Sequence, residues 1–330
     1  MTKIARIDPE LVGPLGGLPP MVLTPGVLPR LREEHQATFA DLNRASLPSP
    51  DVLAEDRLIP GPQGAPDVMV RLYRPARAGG QRPALLWIHG GGYMLGSVAG
   101  DDQYVGPLTH AVDCVVVSVE YRLAPEVPFP GPLEDCYAAL TWLYTHAEAL
   151  GVNPERIAIG GGSAGGGLAA GLGLLARDRG EVPVCFEVLI YPMLDDRNTR
   201  SAEEVGSDHL LWDRAGNRFG WQCYLGREPG GEDVPYQAAP ARAEDVSGLP
   251  PTFISVGELD LFLDENIEYA QRLLRAGVPT ELHVYPGAYH GFDVFVPTAR
   301  VSRRAREDVV RALRHALWGH EVGPAPTTPG

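Results

Sequence analysis

A chain of 330 residues with 44% apolar and 21% charged side chains has room for one large α/β domain or two small ones, and its composition is that of an ordinary globular enzyme. The net charge of −14, from 28 basic and 42 acidic residues, argues against a nucleic-acid surface or an anionic membrane as partner. Cys114, Cys136, Cys185 and Cys223 show no C-x-x-C pair and no metal spacing, so they read as buried free thiols; with no apolar leader in residues 1–8, the expected compartment is the reducing cytoplasm.

Residues 1–30 are rich in Pro and Gly, and Pro14, Pro19, Pro20, Pro25 and Pro29 bar a membrane-spanning helix from the uncharged stretch 11–29. The spacing of Leu31, His35, Phe39 and Leu42 predicts a helix over 30–44, and residues 1–50 read as an arm lying over another part of the molecule. Strands are expected at 52–59 and 68–73, joined as an antiparallel hairpin by Pro60-Gly61-Pro62-Gln63-Gly64. The continuous apolar runs 83–89 and 114–119 read as buried central strands.

A helix over 133–149, a strand over 156–159, a helix over 168–179 and a strand over 184–190 follow. The last part alternates as strand 252–256, helix 264–276, strand 280–285 and helix 301–317. Such alternation predicts an α/β protein with an eight-stranded, mostly parallel sheet, helices on both faces and the hairpin at one edge. Residues 51–193 and 251–318 form the catalytic domain of this scheme. Residues 194–250, polar and aromatic and too long for a plain connection, read as a cap insertion packed with the N-terminal arm above the sheet. Residues 319–330 read as a disordered tail. Strand 280–285, if it is an exposed edge, could pair with a second copy to form a homodimer.

The chemistry centres on Gly161-Gly162-Ser163-Ala164-Gly165, a G-x-S-x-G at the junction of a short apolar strand and a helix. A strand that reverses into a helix so sharply strains the serine backbone and leaves no room for side chains beside it, which is the reason for the glycines. The helix N-terminus then offers positive potential and free N–H groups near the hydroxyl. A serine needs a base, and the base needs an acid to fix its tautomer; after such an elbow they follow in the order acid, histidine.

His290, in Pro286-Gly287-Ala288-Tyr289-His290-Gly291-Phe292 just past the last strand, is the candidate base. Asp260, in the segment after strand 252–256, is the candidate acid; Glu258 and Asp264 compete, with Asp264 assigned to capping the next helix. The N–H of Ala164 is one candidate oxyanion donor, and the glycine loop His89-Gly90-Gly91-Gly92-Tyr93 after an apolar strand supplies the others. Every role is filled by side chains and amides, so neither a metal nor an organic cofactor is expected.

His89-Gly90-Gly91-Gly92, Tyr121-Arg122-Leu123-Ala124-Pro125-Glu126, the Ser163 elbow, Asp260-Leu261-Phe262-Leu263-Asp264-Glu265 and Tyr289-His290-Gly291-Phe292 occur in that order. Together they resemble the hormone-sensitive-lipase family of bacterial esterases, the α/β-hydrolase-3 group, from about Val52 to Leu317. The resemblance implies the α/β-hydrolase fold with a cap, a Ser163–Asp260–His290 triad and an oxyanion hole from the amides of Gly91, Gly92 and Ala164. It implies a structural role for His89, and a structural turn over 121–126 with Arg122 paired to Glu126. It implies a serine carboxylesterase acting on a small short- to medium-chain acyl ester, with an amidase or carbamate hydrolase on the same triad as the second reading. A non-catalytic small-molecule receptor on the same fold is the reading from another class; retention of all three triad residues weighs against it. Two positions depart from the family pattern: Gly162 stands where Asp or Thr usually precedes the nucleophile, and Leu261 where Pro usually follows the acid.

Overall fold

The computed structural model describes residues 6–16, 23–34, 50–198 and 211–319. Eight strands form one sheet: β1 Val52–Ile59, β2 Val68–Pro75, β3 Arg82–Ile88, β4 Val115–Glu120, β5 Val152–Gly162, β6 Phe186–Ile190, β7 Thr252–Gly257 and β8 Thr280–Tyr285. Their order is β1-β2-β4-β3-β5-β6-β7-β8. β2 runs antiparallel to both neighbours, and every pairing from β4 to β8 is parallel. The hairpin lies at one edge and β8 at the other, as the sequence pattern predicts.

Both faces of the sheet are apolar, because side chains alternate across a strand and both faces carry helices. On one face Ala84, Leu86 and Ile88 of β3 join Val115, Val117 and Val119 of β4 and Ile157 and Ile159 of β5. That cluster is closed by helices α2 (Gly131–Thr145), α3 (Ala164–Arg179) and α5 (Leu263–Arg275). On the other face Leu85, Trp87, Val116 and Ala158 meet α1 (Asp102–Val112) and α6 (Arg300–Trp318). Residues such as Leu86 and Val117 are fully buried, each contributing about 1.5–3 kcal/mol through apolar surface withdrawn from water.

Several boundaries differ from the sequence reading. Helix α1 is absent from it, since Gly106 and Pro107 inside the segment obscure the period. Helix α3 begins at Ala164, not Leu168, despite three consecutive glycines. Tertiary closeness decides there, because a Cβ at Gly165 would stand 2.1 Å from the Ile88 carbonyl oxygen and one at Gly167 2.2 Å from that of Met193. β5 starts at Val152, paired with Arg82 before a register shift. Helix α2 spans 131–145 where 133–149 is expected.

Asp264 does not cap α5: Phe262 holds the N-cap position and Asp264 lies in the first turn, where its charge still meets the positive end of the helix. Arg122 pairs with Asp135 of α2, not with Glu126; the fully buried Asp135 carboxylate accepts both the Arg122 amide at 2.9 Å and its guanidinium at 2.7 Å. Glu126 instead meets Arg32 of the N-terminal arm at 2.8 Å, whose guanidinium also donates to the carbonyls of Met94 and Ala124.

Of the expected helix 30–44, residues 30–34 are helical, in a helix that starts at residue 28, and 35–44 lie outside the described residues. The expected tail lies outside them from residue 320 onward. Inside the segment 194–250 the described residues form helix α4 (Arg214–Leu225), begun by the Asp213 side chain, which accepts from the Gly216 amide at 2.8 Å. Among the described residues no helix is long and apolar enough to cross a membrane.

Candidate active site

Ser163 sits between β5 and α3 with φ 58° and ψ −123°, left-handed backbone that costs a non-glycine residue energy and that the neighbours must enforce. They do so from three sides. The Ser163 amide donates to the Ile190 carbonyl at 2.9 Å, and its own carbonyl accepts from Gly167 at 3.0 Å and Met193 at 3.1 Å. The elbow glycines are not equivalent. A Cβ at Gly161 would stand 2.4 Å from the Ile88 oxygen, whereas one at Gly162 would meet nothing nearer than the Tyr191 ring at 3.6 Å. Glycine is therefore obligatory at 161 and 165 but not at 162.

The structure brings the three singled-out side chains together from three loops at the carboxyl edge of the sheet. Ser163 Oγ lies 2.9 Å from His290 Nε2, and His290 Nδ1 lies 2.8 Å from Asp260 Oδ2. With the Nδ1 proton facing the carboxylate, Nε2 is left to accept from the serine hydroxyl. The other oxygen, Asp260 Oδ1, accepts from the Phe262 amide at 2.9 Å, which fixes the carboxylate plane. Asp260 and His290 are buried, 5% and 8% exposed, so water competes little for these bonds.

The competitor Glu258 points elsewhere. Its carboxylate accepts from the Gly287 amide at 3.0 Å and pairs with Arg6; that amide and then Arg6 hold its pKa below the usual glutamate value.

The glycine loop after β3 lies against the elbow: a Cβ at Gly90 would stand 2.9 Å from the Gly162 oxygen and 3.4 Å from Ser163 Cβ. Gly91 and Gly92 adopt φ 119° and 61°. Among the described residues neither amide has a hydrogen-bond acceptor, and Ala164, as the first residue of α3, has none within its helix. His89 serves the loop itself. Its ring stacks on Tyr121 at 4.2 Å with Nδ1 2.8 Å from the Gly90 oxygen, while the Tyr121 hydroxyl donates to the His89 carbonyl at 3.0 Å.

Three aromatic rings that the sequence did not single out for the site surround His290: Tyr191 at 4.9 Å, Phe262 at 5.1 Å and Trp212 at 6.4 Å between centroids. Trp212 also lies over the glycine loop, its Cη2 2.4 Å from where a Gly92 Cβ would stand. Helix α4 follows it onto the same loop through Trp221 and Tyr224, which pack on Tyr93 at 5.3 and 4.0 Å. The signals available were slight: a Tyr-Pro after β6 and aromatic density in the segment 194–250. Among the described residues no three His, Cys, Asp or Glu side chains gather as a metal site.

Residues 85–294 match a protein family described as alpha/beta hydrolase fold. The chain is 34% identical over 316 residues to "Esterase LipI" of Mycobacterium tuberculosis, covering 95% of this chain and 96% of that protein. It is 36% identical over 275 residues to "Carboxylesterase NlhH" of the same organism, covering 81% and 84%. Among solved structures it is similar to "Bacterial Heroin Esterase", with 44% identity, a TM-score of 0.90, and coverage of 96% of this chain and 99% of that one.

Proposed function

Since the chain belongs to the alpha/beta hydrolase fold family, we propose that it is a serine carboxylesterase that cleaves short- to medium-chain acyl esters through an acyl-enzyme on Ser163. Ester hydrolysis is the activity named for its relatives LipI and NlhH. The observation that carries the reading of the site is the unbroken relay Ser163 Oγ–His290 Nε2–Asp260, 2.9 and 2.8 Å, beside amides with no acceptor of their own.

In this reading the hydroxyl oxygen attacks the ester carbonyl carbon while its proton passes to His290 Nε2. Asp260, already bonded to Nδ1, stabilises the imidazolium. The carbonyl oxygen takes the negative charge and is held by the amides of Gly91, Gly92 and Ala164, each oriented before the substrate arrives. Collapse of the intermediate expels the alcohol, which leaves with the proton from Nε2. A water molecule, deprotonated by the same nitrogen, then attacks the acyl-serine; the acid departs and Ser163 regains its proton. The segment 194–250 acts as part of a cap, since Trp212 and α4 lie directly on the oxyanion loop.

The test is hydrolysis of p-nitrophenyl esters from acetate to palmitate beside matched p-nitroanilides, for the wild type and Ser163→Ala. Turnover should peak at short or medium chains, and the substitution should lower kcat by about 10⁶, as when one member of a triad acting as a unit is lost. A mutant within about tenfold of the wild type refutes the assignment of Ser163. Cleavage of anilides in preference to esters would replace the esterase reading by an amidase.

A further inference from the structure

Hydrogen bonds at Nδ1 and Nε2, to Asp260 and Ser163, hold the His290 ring at two points but do not fix its tilt, and a tilt that displaces Nε2 by about 1 Å can cost as much as 10² in rate. The ring plane must be fixed by what packs on it. Phe262 stands edge-on at 89° and is tied to the acid through its amide. Tyr191 stands at 65° on the ring, 4.9 Å away, and nothing in the triad itself holds it there.

What holds it is a separate arrangement. Tyr191 has φ 36°, left-handed backbone for a bulky buried residue, maintained by its amide donating to the Ser255 carbonyl at 2.6 Å. Its hydroxyl donates to Asp293 Oδ1 at 2.9 Å; Asp293 is 2% exposed. Asp293 is fixed in turn by Arg306, whose guanidinium donates to its carbonyl at 2.8 Å and lies 5.0 Å over the Tyr104 ring. A carboxylate so deeply buried is costly unless it is paired and hydrogen-bonded; the Tyr191 hydroxyl and, at 3.9 Å, the Arg306 guanidinium meet this one, and the proposed mechanism assigns it no role.

We propose that Tyr191, anchored through its hydroxyl by Asp293, is the positioning residue that keeps the His290 ring aligned with Ser163. The inference rests on the reading of His290 as the base. It explains why this backbone tolerates strain at 191.

The test is a double-mutant cycle on kcat and KM for p-nitrophenyl acetate. Tyr191→Phe keeps the ring and removes the anchor, so kcat should fall about tenfold with KM within about twofold, the signature of misalignment rather than lost binding. Asp293→Ala should give a similar loss. The double variant should be no worse than either single one, because both remove the same bond. Asp293→Asn, whose amide oxygen still accepts from Tyr191, should recover at least about half of the wild-type kcat.

Wild-type kcat in Tyr191→Phe, or single losses that multiply in the double variant, would overturn the proposal. So would a fall in thermal midpoint with kcat unchanged, since that is what a merely structural role predicts. If Asp293→Ala does not fold, the volume-conserving Tyr191→Phe and Asp293→Asn carry the comparison. His290→Ala separates the two layers of argument. An active His290→Ala defeats the reading of the base, whereas an inactive one beside a fully active Tyr191→Phe defeats only the role given to Tyr191.

Discussion

Asp260 spends its two oxygens on different partners, Oδ2 on His290 and Oδ1 on the Phe262 amide, and this division makes one substitution informative. In Asp260→Asn the amide oxygen would stay with the Phe262 N–H and the NH₂ group would face Nδ1. Nδ1 must then accept, the imidazole proton moves to Nε2, and Ser163 loses its proton acceptor. The volume is unchanged and no apolar contact is lost. We expect kcat to fall by about 10⁴ with the fold intact, read by steady-state kinetics and near-ultraviolet circular dichroism. A loss under about tenfold would mean that another group fixes the tautomer.

At the same scale, Ser163, Asp260 and His290 were legible in the sequence because each follows a strand in a fixed chain order beside small or turn-forming residues. The rings of Tyr191, Phe262 and Trp212 were not. Their approach to His290 depends on how three loops fold over one another, and no spacing encodes that. Glu258 shows the converse: two residues from Asp260 and equally acidic, it is turned outward by the Gly287 amide, a partner 29 positions away.

Among the elements, the elbow makes a comparison that isolates packing from chemistry. A Cβ at Gly165 would stand 2.1 Å from the Ile88 oxygen and 2.5 Å from that of His89, both backbone atoms at the end of β3 that cannot turn aside. A Cβ at Gly162 would meet only the Tyr191 ring at van der Waals distance, and the residue is not in the left-handed region. Gly165→Ala should therefore cost about 3 kcal/mol, the upper range for forced overpacking, while Gly162→Ala should be neutral or stabilising by up to about 1 kcal/mol through the unfolded chain. Urea unfolding midpoints decide it, and equal effects at the two positions would show that the elbow is looser than these distances state.

Legibility at this scale followed packing as well. All eight strands could be read, because β3 and β4 are continuous apolar runs, the later strands alternate with helices, and the hairpin carries a Pro-Gly turn. Helix α1 could not, since Gly106 and Pro107 interrupt it and its apolar face is defined only by the sheet it covers. The glycine-rich start of α3 lost its helical signal for the opposite reason: close packing demanded residues of poor helix propensity.

In the whole molecule, the beginning of the chain reaches the loops of the site from outside the segment 194–250. The Asp8 amide donates to the Gly287 carbonyl at 3.0 Å, Tyr289 donates to the Leu11 carbonyl at 3.0 Å, and Arg6 pairs with Glu258. The fit is close: Gly287 has φ 69°, and a Cβ there would stand 2.7 Å from the Asp8 nitrogen. No pattern in the Pro- and Gly-rich arm announces these contacts, which join residues more than 250 positions apart.

The loops of Asp260 and His290 are themselves joined by the Glu258 amide to the Tyr285 carbonyl and by the Leu259 amide to that of Ala288, both at 2.9 Å. The Glu258 carboxylate thus ties the arm and the loops of Asp260 and His290 at one point. Its pKa is depressed in the folded chain, by the Gly287 amide first and Arg6 second. A depressed carboxylate contributes stability that is present above its unfolded value, about 4.3 for glutamate, and is lost as pH falls through the folded value. The side chains of Arg6 and Glu258 are 45% and 32% exposed, so salt weakens the pair and the effect is modest. Glu258→Gln should therefore be less stable than the wild type at neutral pH, and the gap should close on acidification through the carboxylate range. Paired urea titrations across that range measure it. A gap that stays constant with pH would mean that the arm is held by its backbone bonds alone, with no share for the Glu258 charge.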